Sequence, residues 1–146
     1  SYFINCIKKN HFGYILNVSS ITAIAPAAST LTYSATKKYI LEYSKLLQAE
    51  VRKEGIKVCC LLPGATDTSF DTNSKLPVPK KIKKFYVSAE FVAKKAIHGL
   101  KKGATKVTPG FSTKLLYIFG IACPSKVIYL LHKFFWVNKR DSYLKR

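Results

Sequence analysis

The sequence predicts an α/β protein, specifically the C-terminal half of a doubly wound fold built on a parallel sheet. Segments with a strand pattern alternate with segments whose apolar residues recur at a helical period. Residues 56–62 are apolar throughout, as expected for a strand buried on both faces of a parallel sheet. Pro63 and Gly64 then end this run. These observations indicate an open sheet with helices on both faces.

A first strand and a long helix precede this buried run. Residues 14–18 form a short apolar stretch that ends in small polar residues, as a strand leading into a loop does. Residues 29–54 predict a long helix, and Gly55 is suited to end it in the left-handed conformation. The apolar residues of this helix recur at a helical period: Ala35, Ile40, Leu41, Tyr43, Leu47 and Val51.

A second helix and a further strand follow. Residues 65–87 are rich in Thr, Ser, Pro and Lys and predict a loop. Ser88 is suited to cap the next helix, since a serine oxygen can accept a free N–H of the first turn. Residues 105–108 predict one more strand. The predicted α/β domain therefore covers residues 1–110.

The tail, residues 111–146, is predicted to form two amphipathic helices. Its apolar runs at residues 115–123 and 127–137 are shorter than the roughly 20 residues that span a bilayer. Aromatic and basic residues in the second run suit a membrane surface. The favoured alternative is packing over a substrate cleft or against a second subunit.

Composition narrows the class of protein. The net charge is +18, but the lysines are scattered in pairs and no nucleic-acid-binding motif accompanies them, so we expect no nucleic-acid partner. The spacing of His and Cys matches no zinc site, and no metal is expected. The four cysteines are expected to be reduced, buried thiols, which favours a cytoplasmic location.

Tyr33 and Lys37 predict acid–base chemistry. Residues four apart share a helix face, so the ammonium can sit close to the phenol and favour the phenolate. Such a cation moves the pKa of a phenol, ordinarily about 10, toward the range in which proton transfer is efficient. Tyr129 and Lys133 share the spacing, but only Tyr33 opens a helix 13 positions after Ser20, where a strand ends and open α/β sheets bind ligands.

Three segments carry a family resemblance: Asn17-Val18-Ser19-Ser20, Tyr33-Ser34-Ala35-Thr36-Lys37 and Pro63-Gly64-Ala65-Thr66-Asp67-Thr68. In this order and spacing they resemble the short-chain dehydrogenase/reductase family, over about residues 12–110. The resemblance implies a Rossmann fold. It also implies an oxidoreductase that transfers a hydride between NAD or NADP and a carbonyl or secondary alcohol.

The resemblance implies a role for each motif residue. Ser20 would hydrogen-bond the substrate oxygen and Tyr33 would be the catalytic acid or base. Lys37, with Tyr33, would bind the nicotinamide ribose. Ser19 competes with Ser20, but Ser20 has the family's usual spacing to the tyrosine. The third motif would complete the cofactor site, with Pro63 and Gly64 beside the nicotinamide and Thr66 and Thr68 near its carboxamide and the phosphates.

Other parts of the family pattern would precede Ser1, including the glycine-rich turn, the residue that selects NAD or NADP, and the upstream asparagine of the catalytic tetrad. The chain has no methionine and opens in an apolar segment, so we expect it to begin inside a longer protein. Alone, it is expected to bind cofactor poorly and to be inactive. A non-catalytic subunit or scaffold is the alternative function.

The tail resembles, loosely, the C-terminal region of membrane-associated 3-ketoacyl-CoA reductases and related 17β-hydroxysteroid dehydrogenases. This resemblance implies an apolar ketone or a 3-oxoacyl thioester as substrate, and a role in lipid metabolism. Family likeness further implies a homo-oligomer built partly on the helix of residues 29–54. Peripheral membrane contact through the tail remains the less favoured alternative to packing against protein.

Overall fold

The computed structural model describes residues 12–26, 30–69, 84–124, 126, 127 and 130. The strands are β1 Gly13–Val18, β2 Ile56–Leu61, β3 Thr66–Asp67, β4 Val87–Ser88 and β5 Lys106–Val107. The helices are α1 Leu31–Val51, α2 Ala89–Lys101 and α3 Phe111–Ala122, and short 3₁₀ turns lie at Ile21–Ala23 and Arg52–Glu54.

Three parallel strands in the order β1-β2-β5 form the main sheet, with β2 at its centre. Val18 pairs with Leu61 and Leu61 pairs with Val107, so the carboxyl ends of the strands meet at one edge. Alternate side chains of β2 face opposite layers, because Val58 packs against α1 while Leu61 packs with Val92 of α2. Helices on both faces of a parallel sheet confirm the predicted doubly wound α/β class.

The buried face of α1 agrees only in part with the sequence pattern. Ala35 and Tyr43 follow the apolar period but are exposed. The buried residues of the helix include two serines: Ser34, Leu41, Ser44, Leu47 and Val51. An apolar period alone therefore misplaces the face, because it leaves out small polar residues that can be buried when hydrogen-bonded.

Ser44 shows how a buried hydroxyl is accommodated in this layer. Its Oγ donates to the carbonyl of Ile40 at 2.6 Å and accepts from Nδ2 of Asn17 at 3.0 Å. Only 1% of the residue is exposed. Because the donor and the acceptor capacity of the hydroxyl are both used, this burial avoids the cost of an orphaned polar group, and it links α1 to β1.

Two sequence signals at helix ends are confirmed. Gly55 follows the last 3₁₀ turn after α1 with φ of 71°, the left-handed conformation that glycine adopts without strain. Ser88 caps α2, since its Oγ accepts the N–H of Phe91 at 3.2 Å. The strand predicted at residues 105–108 is present as β5.

The prediction of a loop over residues 65–87 is wrong at both ends, where the structure has short strands. Thr66 pairs with Val87 and Asp67 pairs with Ser88, so β3 and β4 form a second, two-stranded parallel sheet. The pairing joins residues about 20 positions apart. Local composition gives no signal for such a contact, since it depends on how the intervening chain returns. Residues 70–83 lie outside the described part of the chain.

A side chain completes the edge of the sheet where β5 is too short. The N–H of Val58 is on the same side of β2 as that of Cys60, but β5 pairs only with Cys60 and Leu61. Gln48 of α1 takes the place of a strand partner, because its Oε1 accepts the Val58 N–H at 2.7 Å. An unsatisfied buried N–H would cost about 1–3 kcal/mol.

The tail begins with α3, which starts earlier than the apolar run at residues 115–123 and ends before Pro124. Thr113 is its buried residue, whereas six large apolar side chains are exposed to a substantial degree: Phe111, Leu115, Leu116, Ile118, Phe119 and Ile121. In the described ranges no helix has both the length and the apolar character needed to cross a membrane. The second predicted tail helix falls largely outside those ranges.

The thiols of Cys59, Cys60 and Cys123 are free, whereas Cys6 lies outside the described residues. Cys59 and Cys60 are fully buried at the centre of β2, as expected, and Cys123 is partly exposed. Burial raises the pKa of Cys59 to about 11, with a smaller contribution from Cys60. A buried thiol with a raised pKa is a core residue and a poor nucleophile.

Alkaline pH is expected to destabilise the fold through Cys59. Because its folded-state pKa lies above the unfolded value of 9.0, stability is fully present below pH 9 and is lost as the pH rises toward about 11. The expected loss is about 2–3 kcal/mol. Denaturant unfolding of the wild type and of Cys59→Ala, below and above this window, should show a smaller loss in the variant. Equal losses would contradict the prediction.

Candidate active site

The candidate site lies where β1 and β2 end, at the carboxyl edge of the main sheet. Ser20 lies two residues after the end of β1, and Pro63 and Gly64 follow β2. The two loops are joined, because the N–H of Ile21 donates to the carbonyl of Pro63 at 3.0 Å. Ligands of open α/β sheets bind at this edge, where the loops leave the strands.

Ser20 is held with its oxygen as an acceptor. The residue caps the 3₁₀ turn Ile21–Ala23, and its Oγ accepts from the N–H of Thr22 at 3.2 Å and from Thr22 Oγ1 at 3.1 Å. It is only 6% exposed. Since both bonds use the lone pairs, the hydroxyl proton of Ser20 is left to donate to another oxygen. Sequence reasoning missed Thr22, although its position two residues after the cap suits this contact.

Tyr33 and Lys37 lie one turn apart near the start of α1. The Nζ of Lys37 is 5.5 Å from the centroid of the Tyr33 ring, and the same Nζ donates to the carbonyl of Val18 at 2.9 Å. The lysine therefore reaches from the tyrosine to the end of β1, two residues before Ser20. The structure brings the predicted tyrosine–lysine pair to the strand end that carries the predicted serine.

The third motif forms the turn after β2. Thr66 Oγ1 donates to the carbonyl of Gly64 at 3.0 Å, so this hydroxyl stabilises the turn, and Thr68 is exposed. Gly64 is required for a reason that the sequence did not reveal. A Cβ at this position would overlap Oγ1 of Thr113, the buried threonine of α3. The absence of a side chain at Gly64 thus lets α3 pack directly against the turn.

α3 also contacts the loop after β1. A Cβ added to Gly120 would lie 2.7 Å from Cγ2 of Ile24 and 3.0 Å from its carbonyl oxygen. Ile24 directly follows the 3₁₀ turn that Ser20 caps. One helix of the tail therefore packs against both loops of the candidate site.

Within residues 12–26, 30–69 and 84–124, no group of His, Cys, Asp and Glu side chains is arranged to hold a metal ion. His98 lies in the last turn of α2, is exposed, and is remote in sequence from the three motifs. A basic residue in a final helical turn interacts favourably with the helix dipole, which accounts for it.

Comparison with known proteins defines the class of protein. Residues 1–77, more than half of the chain, match the family described as short chain dehydrogenase. The fold agrees with this match. The structure has an open parallel sheet with helices on both faces, and a tyrosine–lysine pair lies at the carboxyl edge of the sheet. The chain belongs to the short-chain dehydrogenase/reductase family.

Individual relatives cover the chain to different extents. It is 30% identical over 142 residues to "11-beta-hydroxysteroid dehydrogenase-like 2" of Arabidopsis thaliana, across 92% of this chain and 43% of that protein. It is 38% identical over 60 residues to a 3-oxoacyl-[acyl-carrier-protein] reductase of Chlamydia trachomatis, across 41% of this chain and 24% of that protein. The chain thus spans less than half the length of these relatives.

A solved structure is similar over most of the described fold. The short chain dehydrogenase of Burkholderia cenocepacia, crystallised in complex with NADP, is 25% identical, with a TM-score of 0.71. The match covers 89% of this chain and 51% of that one. The Rossmann-type architecture predicted from the sequence is therefore confirmed.

Gly64→Ala is expected to destabilise the protein by about 2 kcal/mol or more, because the new Cβ displaces Thr113 from a packed site. Thr113→Ala removes the overlapping oxygen, so the double variant should lose less than the sum of the two single losses. Denaturant unfolding of all four proteins measures this coupling. Strict additivity would show that Thr113 does not determine the need for glycine.

Proposed function

We propose that the protein is an NAD(P)-dependent oxidoreductase that interconverts a carbonyl group and a secondary alcohol. The observation that carries the proposal is the contact of Lys37 with both the Tyr33 ring and the carbonyl of Val18, beside Ser20. This arrangement gathers a phenol, an ammonium and a serine hydroxyl at the ligand-binding edge of the sheet. Because the chain spans less than half of its relatives, the activity is a property of the complete gene product.

The residues present fit the nicotinamide half of such a cofactor. An ammonium has three N–H donors, and Lys37 uses one of them on Val18, which leaves donors for ribose hydroxyls. The turn with Gly64, Thr66 and Thr68 lies at the same edge of the sheet and offers backbone and hydroxyl groups to the carboxamide and phosphates. When bound, the nicotinamide supplies or accepts the hydride. The similarity to the short chain dehydrogenase of Burkholderia cenocepacia, whose structure is in complex with NADP, supports this assignment; the TM-score between the two chains is 0.71.

Each polar group then has a separate task at the substrate oxygen. The hydroxyl of Ser20 donates to the carbonyl oxygen and holds it in place, since its lone pairs are occupied by Thr22. Tyr33 delivers its phenolic proton to that oxygen as the alcohol forms. The positive charge of Lys37 near the ring stabilises the phenolate that remains.

The substrate is proposed to be an apolar ketone or a 3-oxoacyl thioester, which would place the enzyme in lipid metabolism. Two similarities support this, namely the hydroxysteroid dehydrogenase-like relative and the 3-oxoacyl reductase relative. α3 adds an apolar helix that packs against both loops of the candidate site. The coenzyme is proposed to be either NADP or NAD.

The oligomer is proposed to form through α1. Its outer face exposes four large apolar or aromatic residues: Leu31, Tyr39, Tyr43 and Leu46. The rings of Tyr39 and Tyr43 are stacked, with centroids 6.1 Å apart, and so present a flat apolar surface. This face supports a homo-oligomer, and the free thiols of β2 support a cytoplasmic location.

Tyr33→Phe is expected to lower kcat by about 10²–10⁴-fold, because it removes the proton that the reaction needs and leaves the ring in place. The measurement is kcat of the complete gene product, with and without the substitution. It is obtained from the oxidation of NADH and NADPH in the presence of a panel of apolar ketones and 3-oxoacyl thioesters. Tyr39→Phe, the same change at an exposed position of the same helix, is the control. Equal inactivity of the wild type and Tyr33→Phe would favour the non-catalytic scaffold.

The exposed face of α3 is proposed to contact the surface of an anionic membrane. Its apolar side chains, the neighbouring Lys114 and the net charge of +18 suit such a surface. Vesicles containing phosphatidylserine should bind the protein more strongly than neutral vesicles, and Ile118→Asp should weaken binding severalfold. Ile97→Asp on α2 is the matched control, being the same change at a similarly exposed residue. Absence of binding would assign the α3 face to contact with protein instead.

A further inference from the structure

Ser19 is a fully buried serine whose hydroxyl bonds the backbone of a site residue. It is 1% exposed, its N–H donates to the carbonyl of Leu61 at 2.8 Å, and its Oγ donates to the carbonyl of Lys37 at 2.6 Å. The bond to Lys37 joins the end of β1 to the helix that carries Tyr33. Because its hydroxyl proton is used on the Lys37 carbonyl, Ser19 cannot donate to a substrate as Ser20 can.

Two opposed bonds tie Lys37 to neighbouring residues of β1. The main-chain oxygen of Lys37 accepts from Ser19, while its side-chain Nζ donates to Val18 at 2.9 Å. A helix that is bonded at one point can still rotate about that point. Attachment through both the backbone and the side chain removes that freedom and fixes the position of this turn above the strand.

We propose that Ser19 is a positioning residue that acts through Lys37. Its bond to the Lys37 carbonyl sets the height of the second turn of α1 over β1, and so the placement of the ammonium beside Tyr33 and near Ser20. The inference rests on the proposed function for its effect on activity. The geometry on which it depends, the attachment of α1 to β1, is independent of that function.

The position of Lys37 matters because a charge acts on a reacting group over a short range. A displacement of about 1 Å in a catalytic group can lower a rate by up to about 10²-fold. Removal of the Ser19 hydroxyl leaves the Lys37 carbonyl with only its ordinary helical bond. The helix turn is then free to move outward, and the ammonium moves with it.

Ser44 provides a matched control on the same helix. It is also 1% exposed, and its Oγ donates to a carbonyl of α1, that of Ile40, at 2.6 Å. Both serines lie beside the buried thiol of Cys60, whose pKa is raised by burial and lowered in part by the two hydroxyls. Ser44 also accepts from Asn17, so Ser44→Ala should cost at least as much stability as Ser19→Ala. It leaves Lys37 attached.

The test compares Ser19→Ala, Ser19→Thr and Ser44→Ala in the complete gene product. Ser19→Ala should lower kcat about tenfold with KM for the ketone changed less than about twofold, because substrate contacts are kept while proton transfer is impaired. Ser19→Thr, which keeps the hydroxyl, should restore most of kcat. Ser44→Ala should keep kcat despite an equal or larger fall in Tm.

A crystal structure of Ser19→Ala gives a readout that does not depend on activity. The Nζ of Lys37 and the carbonyl of Val18, 2.9 Å apart, should separate beyond hydrogen-bonding distance. An unchanged separation, or equal kcat for Ser19→Ala and Ser44→Ala, would overturn the proposal. Full activity of Tyr33→Phe would instead refute the proposed function, and the Lys37–Val18 separation would still decide the role of Ser19.

Discussion

The hydrogen bond from the Lys37 ammonium to the Val18 carbonyl is the contact on which the candidate site depends. It joins the second turn of α1 to the last residue of β1. A charged donor forms a stronger bond than a neutral one, so this contact favours the observed placement of the helix turn. The core makes it geometrically available, because Leu47 and Val51 of α1 pack against Val58 of β2 and bring the C-terminal part of the helix against the sheet.

The candidate site and the apolar core are therefore connected through α1, which contributes residues to both. A polar layer lies between them, in which Asn17 donates to Ser44, and Ser19 and Ser44 each donate to a backbone carbonyl of α1. Hydroxyl and amide groups in this layer are directional, whereas the apolar contacts beneath them are not. The apolar residues bring α1 to the sheet, and the bond from Ser19 then positions the turn that carries Lys37.

Much of the fold is predictable from local patterns. The apolar run of β2, the left-handed Gly55 and the cap at Ser88 are each specified by a few neighbouring residues, and the structure contains all three. The spacing of Ser20, Tyr33 and Lys37 likewise predicts the candidate site, because a strand end and a helix start have fixed geometry. What the three side chains do chemically is a proposal that follows from this placement.

Other features depend on contacts between distant residues and so escape sequence reasoning. The pairing of Thr66 with Val87 and the packing of Gly64 against Thr113 both join segments tens of residues apart. The buried face of α1 was misplaced because Ser34 and Ser44 do not count as apolar, although hydrogen bonding lets serine be buried. No local rule distinguishes a buried serine from an exposed one.

Two glycines, Gly64 and Gly120, determine how closely α3 packs against the candidate site. Gly64 and Gly120 let one helix rest directly on the loop after β2 and on the loop after β1. The distance between α3 and both loops is thus set by the absence of two side chains. A bulkier residue at either position would push α3 away from the loop it contacts, and would therefore reshape the edge of the sheet at which the candidate site lies.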